Sequence, residues 1–343
     1  MNSIKKFALF TLLCLLSLSS LQAEIVTRAA MDVGSAETKL TVADVDTETQ
    51  KIVHIWYQTV KFVILRKDLA ASQDGNLSSA IEERLLNALA ELKVEAAQFN
   101  PKQWVGVGTS VFRKANNGQA ILDRIKNEMN ITITLVSQKE EAEIGFNSAV
   151  ASTGLNPEEI LSWDSGSGSF QIAGFNNGSY YMLGEEVFFE VYGKEFAYVA
   201  ALEELFKLRG QPFSLLTPNP ISIGEAFELY MTIRNEKLPP TPNWLQNKRK
   251  QVIGIGGITC PFSIGQIATG QYTYNSEQLW GALKTLCGKT DEEFAEFPDP
   301  SGVVMSLILL LSVLDHCGFE EITYSPTNGS CEGLLITPQY WQQ

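Results

Sequence analysis

The sequence predicts an α/β protein made of two related halves that face each other across a cleft. Three observations predict it. Strand-like and helix-like stretches alternate from about residue 25 to 150, and a second alternating cycle begins at Ile160. Each cycle opens on an Asp-x-Gly-Ser turn, Asp32-Val33-Gly34-Ser35 and Asp164-Ser165-Gly166-Ser167. A chain of 343 residues is long enough for two domains of roughly 150 residues each. We place them at 24–141 and 142–343, with the C-terminal end returning to the first.

Each element has its own signal. Ile25 to Asp46 alternates small and apolar residues around Gly34 and reads as a hairpin. Ile52 to Leu65, with Val53, Ile55, Tyr57, Val60 and Val63, reads as a strand pair. Ser79 to Gln98 is a helix, because Ile81, Leu85, Leu86, Leu89, Leu92 and Val94 keep to one face. Trp104 to Val107 is a short strand, Ala120 to Met129 a helix, Ile131 to Val136 a strand and Glu140 to Ser152 a helix. In the second cycle, Phe170 to Phe175 and Tyr180 to Leu183 form a hairpin around Asn177-Gly178. Helices follow at Phe196 to Leu208 and Ile223 to Arg234. Val252 to Gly257 is a strand entering a glycine turn, Val303 to Leu314 a very apolar helix and Ile322 to Tyr324 a last strand.

Composition excludes several function classes. With 26 Lys+Arg against 39 Asp+Glu the formal net charge is −13, which argues against nonspecific nucleic-acid or anionic-membrane binding. Two histidines, His54 and His316, leave little for a His-based metal site or a Ser-His relay. A hydrophobic share of 45% excludes wholesale disorder.

Residues 1–23 read as an export signal: Lys5-Lys6, an apolar run from Phe7 to Leu18, and a small residue, Ala23, at the cleavage point. The run is short for a membrane span. Cleavage removes two lysines and no acid, so the mature charge becomes −15, in the periplasm or outside the cell. It leaves Cys260, Cys287, Cys317 and Cys331, whose pairing the sequence leaves open. No CxxC spacing suggests zinc.

An Asp at a strand end followed by Gly and Ser supplies a carboxylate, a tight backbone and exposed amides. Such amides can cradle phosphate oxygens while the Asp holds a hydrated divalent cation. Two such turns, followed by Gly254-x-Gly256-Gly257, strengthen that reading, and Lys39 on the outgoing strand could reach the same anion. Asp32 and Asp164 do not suit an aspartic protease, whose fold is nearly all β.

The ordered motifs resemble the exopolyphosphatase/guanosine pentaphosphate phosphohydrolase family of the actin, sugar-kinase and heat-shock-chaperone superfamily. Asp32 to Ser35 looks like its first phosphate loop, and Gly108-Thr109-Ser110-Val111-Phe112-Arg113-Lys114-Ala115-Asn116 like its Thr-Ser-x-x-Arg-x-Ala-x-Asn segment. Ser137-Gln138-Lys139-Glu140-Glu141-Ala142 looks like Ser-Gly-x-Glu-Glu-Ala, and Asp164 to Ser169 like the second loop. Gly254 to Ile258 and Cys331-Glu332-Gly333-Leu334-Leu335 look like the later glycine turn and the Arg-Glu-Gly-Leu-Leu close.

The resemblance implies two actin-like (ribonuclease H-like) α/β domains and a Mg²⁺-assisted phosphoanhydride hydrolase. Glu141 would be the catalytic glutamate, Asp32 and Asp164 the metal carboxylates. Gly34, Ser35, Lys39, Arg113, Gly166, Ser167, Gly168, Gly256 and Gly257 would hold phosphate. Gln171, standing where the family has a second important glutamate, is the water-positioning candidate. The first loop departs from the family at Ala36 and Glu37, losing an amide side chain and adding an anion, and Cys331 replaces the closing Arg. The expected partner is polyphosphate or a phosphorylated small molecule, with homodimerisation open and neither nucleic acid nor a membrane span after cleavage. The alternatives are a noncatalytic polyphosphate- or nucleotide-binding protein and an ATP-dependent kinase, the latter fitting export poorly.

Overall fold

The computed structural model describes residues 24–342 apart from 167–168, 177–178, 184–196, 215–216 and 247–249. The leader, Ser167, Gly168, the Asn177-Gly178 turn and Phe196 lie outside the described residues. Two mixed sheets carry the fold. In the first, β1 (Ile25–Val33), β2 (Glu37–Asp46) and β3 (Lys51–Phe62) form an antiparallel meander. β4 (Gln103–Gly108) and β5 (Thr132–Leu135) then add parallel to β1, giving the order β3-β2-β1-β4-β5.

The second sheet repeats the plan. β6 (Ile160–Ser165), β7 (Phe170–Asn176) and β8 (Ser179–Leu183) form the meander, and β9 (Gln251–Gly256) runs parallel to β6. β10 (Thr273–Tyr274) caps the edge on β11 (Ile322–Pro326), which is parallel to β9, so the order is β10-β11-β9-β6-β7-β8. The parallel strands are linked through helices, as crossovers require. The two-half α/β expectation stands.

One element differs. The run from Ile52 is a single strand, β3, ending at Phe62, rather than a pair, because no turn residue interrupts it, and Leu65 opens a short helix, Leu65–Ala71. Val53 and Trp56 are bulged out of register against β2, and both lie exposed on this edge strand.

The space between the sheets explains the site. The helix Gln138–Thr153 buries Ala142, Phe146 and Ala149 against Ile160, Ala173, Ile253 and Ile255 of the second sheet. Its other face, through Ile144, meets Cys331, Leu334 and Leu335 of the helix Cys331–Ile336, which in turn covers Ala30 and Val107 of the first sheet. The two helices approach at Gly333, where a Cβ would overlap the Ile144 carbonyl. Any larger residue there would force the layers apart. The chain's end therefore packs against the first sheet after β11 has completed the second. The apolar helix Val303–Cys317 is the buried centre of the second core. Among the described residues the four cysteines are free thiols, Cys317 and Cys331 buried and Cys260 and Cys287 half-buried.

Candidate active site

Both Asp turns fold alike. The Gly34 N–H donates to Glu37 O at 2.9 Å, and the Gly166 N–H donates to Ser169 O at 3.0 Å. Asp32 stands directly opposite Lys39 across β1 and β2, and Asp164 directly opposite Gln171 across β6 and β7. The turns open into one cavity of about 430 Å³, an ordinary size for a small-molecule pocket. Asp32, Gly34, Ser35, Lys39, Glu141, Asp164, Gly166, Gly256 and Gly257 all line it. Most of the expected site is thus brought together.

Glu141 reaches the cavity because its neighbour does not. Ser137 and Glu140 form a capping box: the Glu140 carboxylate accepts from the Ser137 N–H at 2.7 Å, and Ser137 Oγ accepts from the Glu140 N–H at 3.2 Å. Glu140 thus starts the helix, and Glu141, one position on, faces the cleft. Its carboxylate accepts from Arg113 at 2.8 Å, while Arg113 also donates to Val136 O at 3.0 Å. Arg113 is therefore a partner of Glu141 and does not line the cavity. Burial raises the Glu141 carboxyl to about 7; Arg113 opposes this, and Asp164 and Asp32 add to it.

Asp164 is likewise pushed up to about 6 by burial, with Lys39 opposing and Asp32 reinforcing the shift. Lys39 lies 3.9 Å from Asp32 and 3.3 Å from Glu37. Burial alone would lower its ammonium, but Asp32, Glu37 and Asp164 outweigh that and raise it. Gln171 is buried and donates to Ser169 Oγ at 2.9 Å, and it does not line the cavity.

Other cavity residues were not anticipated. The loop after β11 inserts between the halves, where the Ser330 N–H donates to Asp32 Oδ2 at 3.1 Å. Gly329 (φ +66°) passes so close that a Cβ would sit 2.5 Å from that oxygen and 3.0 Å from Lys39 Nζ. Asn328 Nδ2 donates to Leu40 O at 2.8 Å and to Thr59 O at 3.2 Å, tying this loop to the first sheet. At the far end, Phe62, Arg66 and Lys67 line the same cavity as Asp299 and Ser301. The Asn-Gly-Ser run 328–330 was a turn signal in the sequence; nothing local placed it at Asp32.

The donor set suits a hydrated cation better than a dedicated metal cage. Among the described residues, no three His, Cys, Asp or Glu side chains converge as a metal site. Two carboxylates on opposite turns, one of them raised by burial beside the other, fit Mg²⁺, which keeps waters and takes substrate phosphates as ligands.

Residues 41–183 match the model of the Ppx/GppA phosphatase family. The chain is similar to the Ppx/GppA phosphatases. No curated protein matches its sequence. Among solved structures it resembles the PPX-GPPA enzyme of Aquifex aeolicus, with a TM-score of 0.69 at 17% identity over 91% of this chain and 99% of that one. It also resembles an exopolyphosphatase of Cytophaga hutchinsonii, with a TM-score of 0.68 at 20% identity over 91% and 97%. At these identities the likeness establishes the actin-like two-domain fold, and the Ppx/GppA resemblance read from the motifs is borne out.

Proposed function

We propose that the protein is an exported, Mg²⁺-dependent phosphohydrolase that removes the terminal phosphate of polyphosphate or a related polyphosphorylated anion. The single observation that carries this is Glu141, a half-buried carboxyl raised to about 7 in a cavity that also holds both Asp turns and Lys39. A base poised near neutrality is what proton removal from an attacking water needs. The Ppx/GppA match supports the reaction class, and the apolar run before Ala23 supports export.

In this reading the backbone amides at Ser35 and Gly257 bind the anion, Gly34, Gly166 and Gly256 let the turns approach it closely, and Lys39 is the charged complement. Arg113 orients Glu141 and keeps part of its population ionised. Glu141 Oε then takes the water's proton as the water oxygen bonds to the terminal phosphorus and the bond from that phosphorus to the bridging oxygen breaks, the shortened chain leaving as an anion. Asp32 and Asp164 would hold Mg²⁺, which when bound offsets phosphate charge and stabilises the leaving oxygen.

A second reading, a noncatalytic polyphosphate- or nucleotide-binding protein, draws support from Gln171, which is spent on Ser169 below the cavity. Phosphate release by the purified mature protein from tripolyphosphate, longer polyphosphate and nucleoside polyphosphates, with and without Mg²⁺, tests both. Mg²⁺-dependent release is expected. Binding with release no faster than buffer would replace the hydrolase with the binder.

A further inference from the structure

A phosphate turn normally presents amides and cations to an incoming anion; the first turn here also carries an anion of its own. The Glu37 backbone carbonyl closes the turn on the Gly34 N–H, which fixes where the side chain starts. From there the carboxylate extends into the cavity. One oxygen accepts from Thr259 Oγ1 at 2.7 Å, on the opposite half just beyond Gly256-Gly257. The other lies 3.3 Å from Lys39 Nζ. Burial alone would raise this carboxyl, but Lys39, the Thr259 hydroxyl and Arg66 together hold it below the usual range, so it is charged at neutral pH.

We propose that Glu37 is a specificity-determining residue: a built-in carboxylate that occupies Lys39 and that a phosphate group must displace. The inference rests on the cavity being a phosphate site. Lys39 is flanked by Asp32 and Glu37, so its charge is already answered before any ligand arrives. An anion that brings little charge gains from Lys39 about what it loses by evicting Glu37. A polyvalent chain, held by several loops at once, gains more than the eviction costs. The carboxylate therefore penalises inorganic phosphate relative to a polyphosphorylated substrate, and its return favours departure of the released phosphate. The Thr259 contact makes the same carboxylate a tie between the two halves, broken when the anion enters.

Calorimetric titration of the mature protein with inorganic phosphate and with tripolyphosphate, in Mg²⁺ and after chelation, tests this on wild type, Glu37→Gln and Thr259→Val. Glu37→Gln is expected to bind inorganic phosphate about tenfold more tightly, as removal of one competing charge near a half-buried cation implies. Its preference for tripolyphosphate over phosphate should narrow by a similar factor. Thr259→Val, which frees the carboxylate from the second half but keeps its charge, should shift phosphate affinity about threefold or less. It also provides a reading should Glu37→Gln fail to fold: tightening as large as tenfold in Thr259→Val would mean that the tie and not the charge excludes phosphate, overturning the proposal. So would a Glu37→Gln variant of unchanged melting temperature with an unaltered preference. If wild type cleaves tripolyphosphate while Glu37→Gln keeps the wild-type ratio, only this inference fails. If neither protein binds any phosphate anion, the phosphohydrolase reading fails with it.

Discussion

Asp32 sits opposite Lys39 in the first hairpin, and Asp164 sits opposite Gln171 in the second, each pair seven residues apart at the same place in its sheet. The backbones of the two turns close with equivalent hydrogen bonds. Their surroundings diverge. Asp32 has an ammonium nearby and the Ser330 N–H on its Oδ2, whereas Asp164 faces a neutral amide and is pushed up to about 6. Duplicated geometry thus supplies one carboxylate with an ammonium opposite it in its own hairpin and one with only an amide there. Both help raise Glu141, Asp164 more than Asp32.

The largest test of this asymmetry is at Glu141. Glu141→Gln should lower turnover by about 10²–10⁴-fold, the range of a general base, with little change in substrate affinity or melting temperature. The pH dependence carries a sign. Glu141 acts when deprotonated, so wild-type kcat/KM should rise with pH up to about 7 and level off above it. The rising limb should vanish in the variant. A limb that survives Glu141→Gln would assign it to another group.

Next in size is a contrast between the two aspartates. Asp32→Asn leaves the half-buried Lys39 with a weaker partner, and melting should show a loss of about 1–3 kcal/mol. Asp164 behaves oppositely. Its folded carboxyl is raised, so its contribution to stability is complete below the unfolded value and is lost as pH rises through about 6. At pH 8 Asp164→Asn should therefore melt no lower than wild type, while Mg²⁺-dependent binding of tripolyphosphate weakens. Equal melting losses in the two variants would erase the distinction.

Much of this was legible because the relevant signals are local. The Asp-x-Gly-Ser turns lie within alternating apolar runs, and both hairpins formed where those runs predicted. The division between Glu140 and Glu141 was also open to view, since Ser137 three residues before Glu140 is a capping-box spacing that leaves Glu141 the free glutamate. The Val53–Val63 alternation was misread as a strand pair because period alone does not reveal an uncovered edge strand. Three features depend on packing between distant segments and left no local trace: Ser330 on Asp32, Asn328 on Leu40 and Thr59, and Glu37 on Thr259. Arg113 was assigned to phosphate by motif, yet its guanidinium donates to Val136 O and to Glu141.

The smallest predicted effect sharpens the comparison most directly, by making the second turn a copy of the first. Gln171→Lys places an ammonium opposite Asp164 at the register position Lys39 occupies opposite Asp32. An opposite charge at that range typically lowers a carboxyl by about 1–3 units, so Asp164 should fall from about 6 to about 5 or lower in a carboxyl-resolved NMR titration. Glu141 should follow by a smaller amount, because an ammonium beside Asp164 offsets part of the negative field that raises it. The rising limb of the rate profile would then move to lower pH. Mg²⁺-dependent binding should weaken as well, since a paired Asp164 has less to offer a cation. The buried hydrogen bond that Gln171 Nε2 donates to Ser169 Oγ is lost, at a cost of about 1 kcal/mol. If Asp164 stays near 6 with the lysine present, burial alone sets its titration, and the missing counter-charge in the second turn has no part in it.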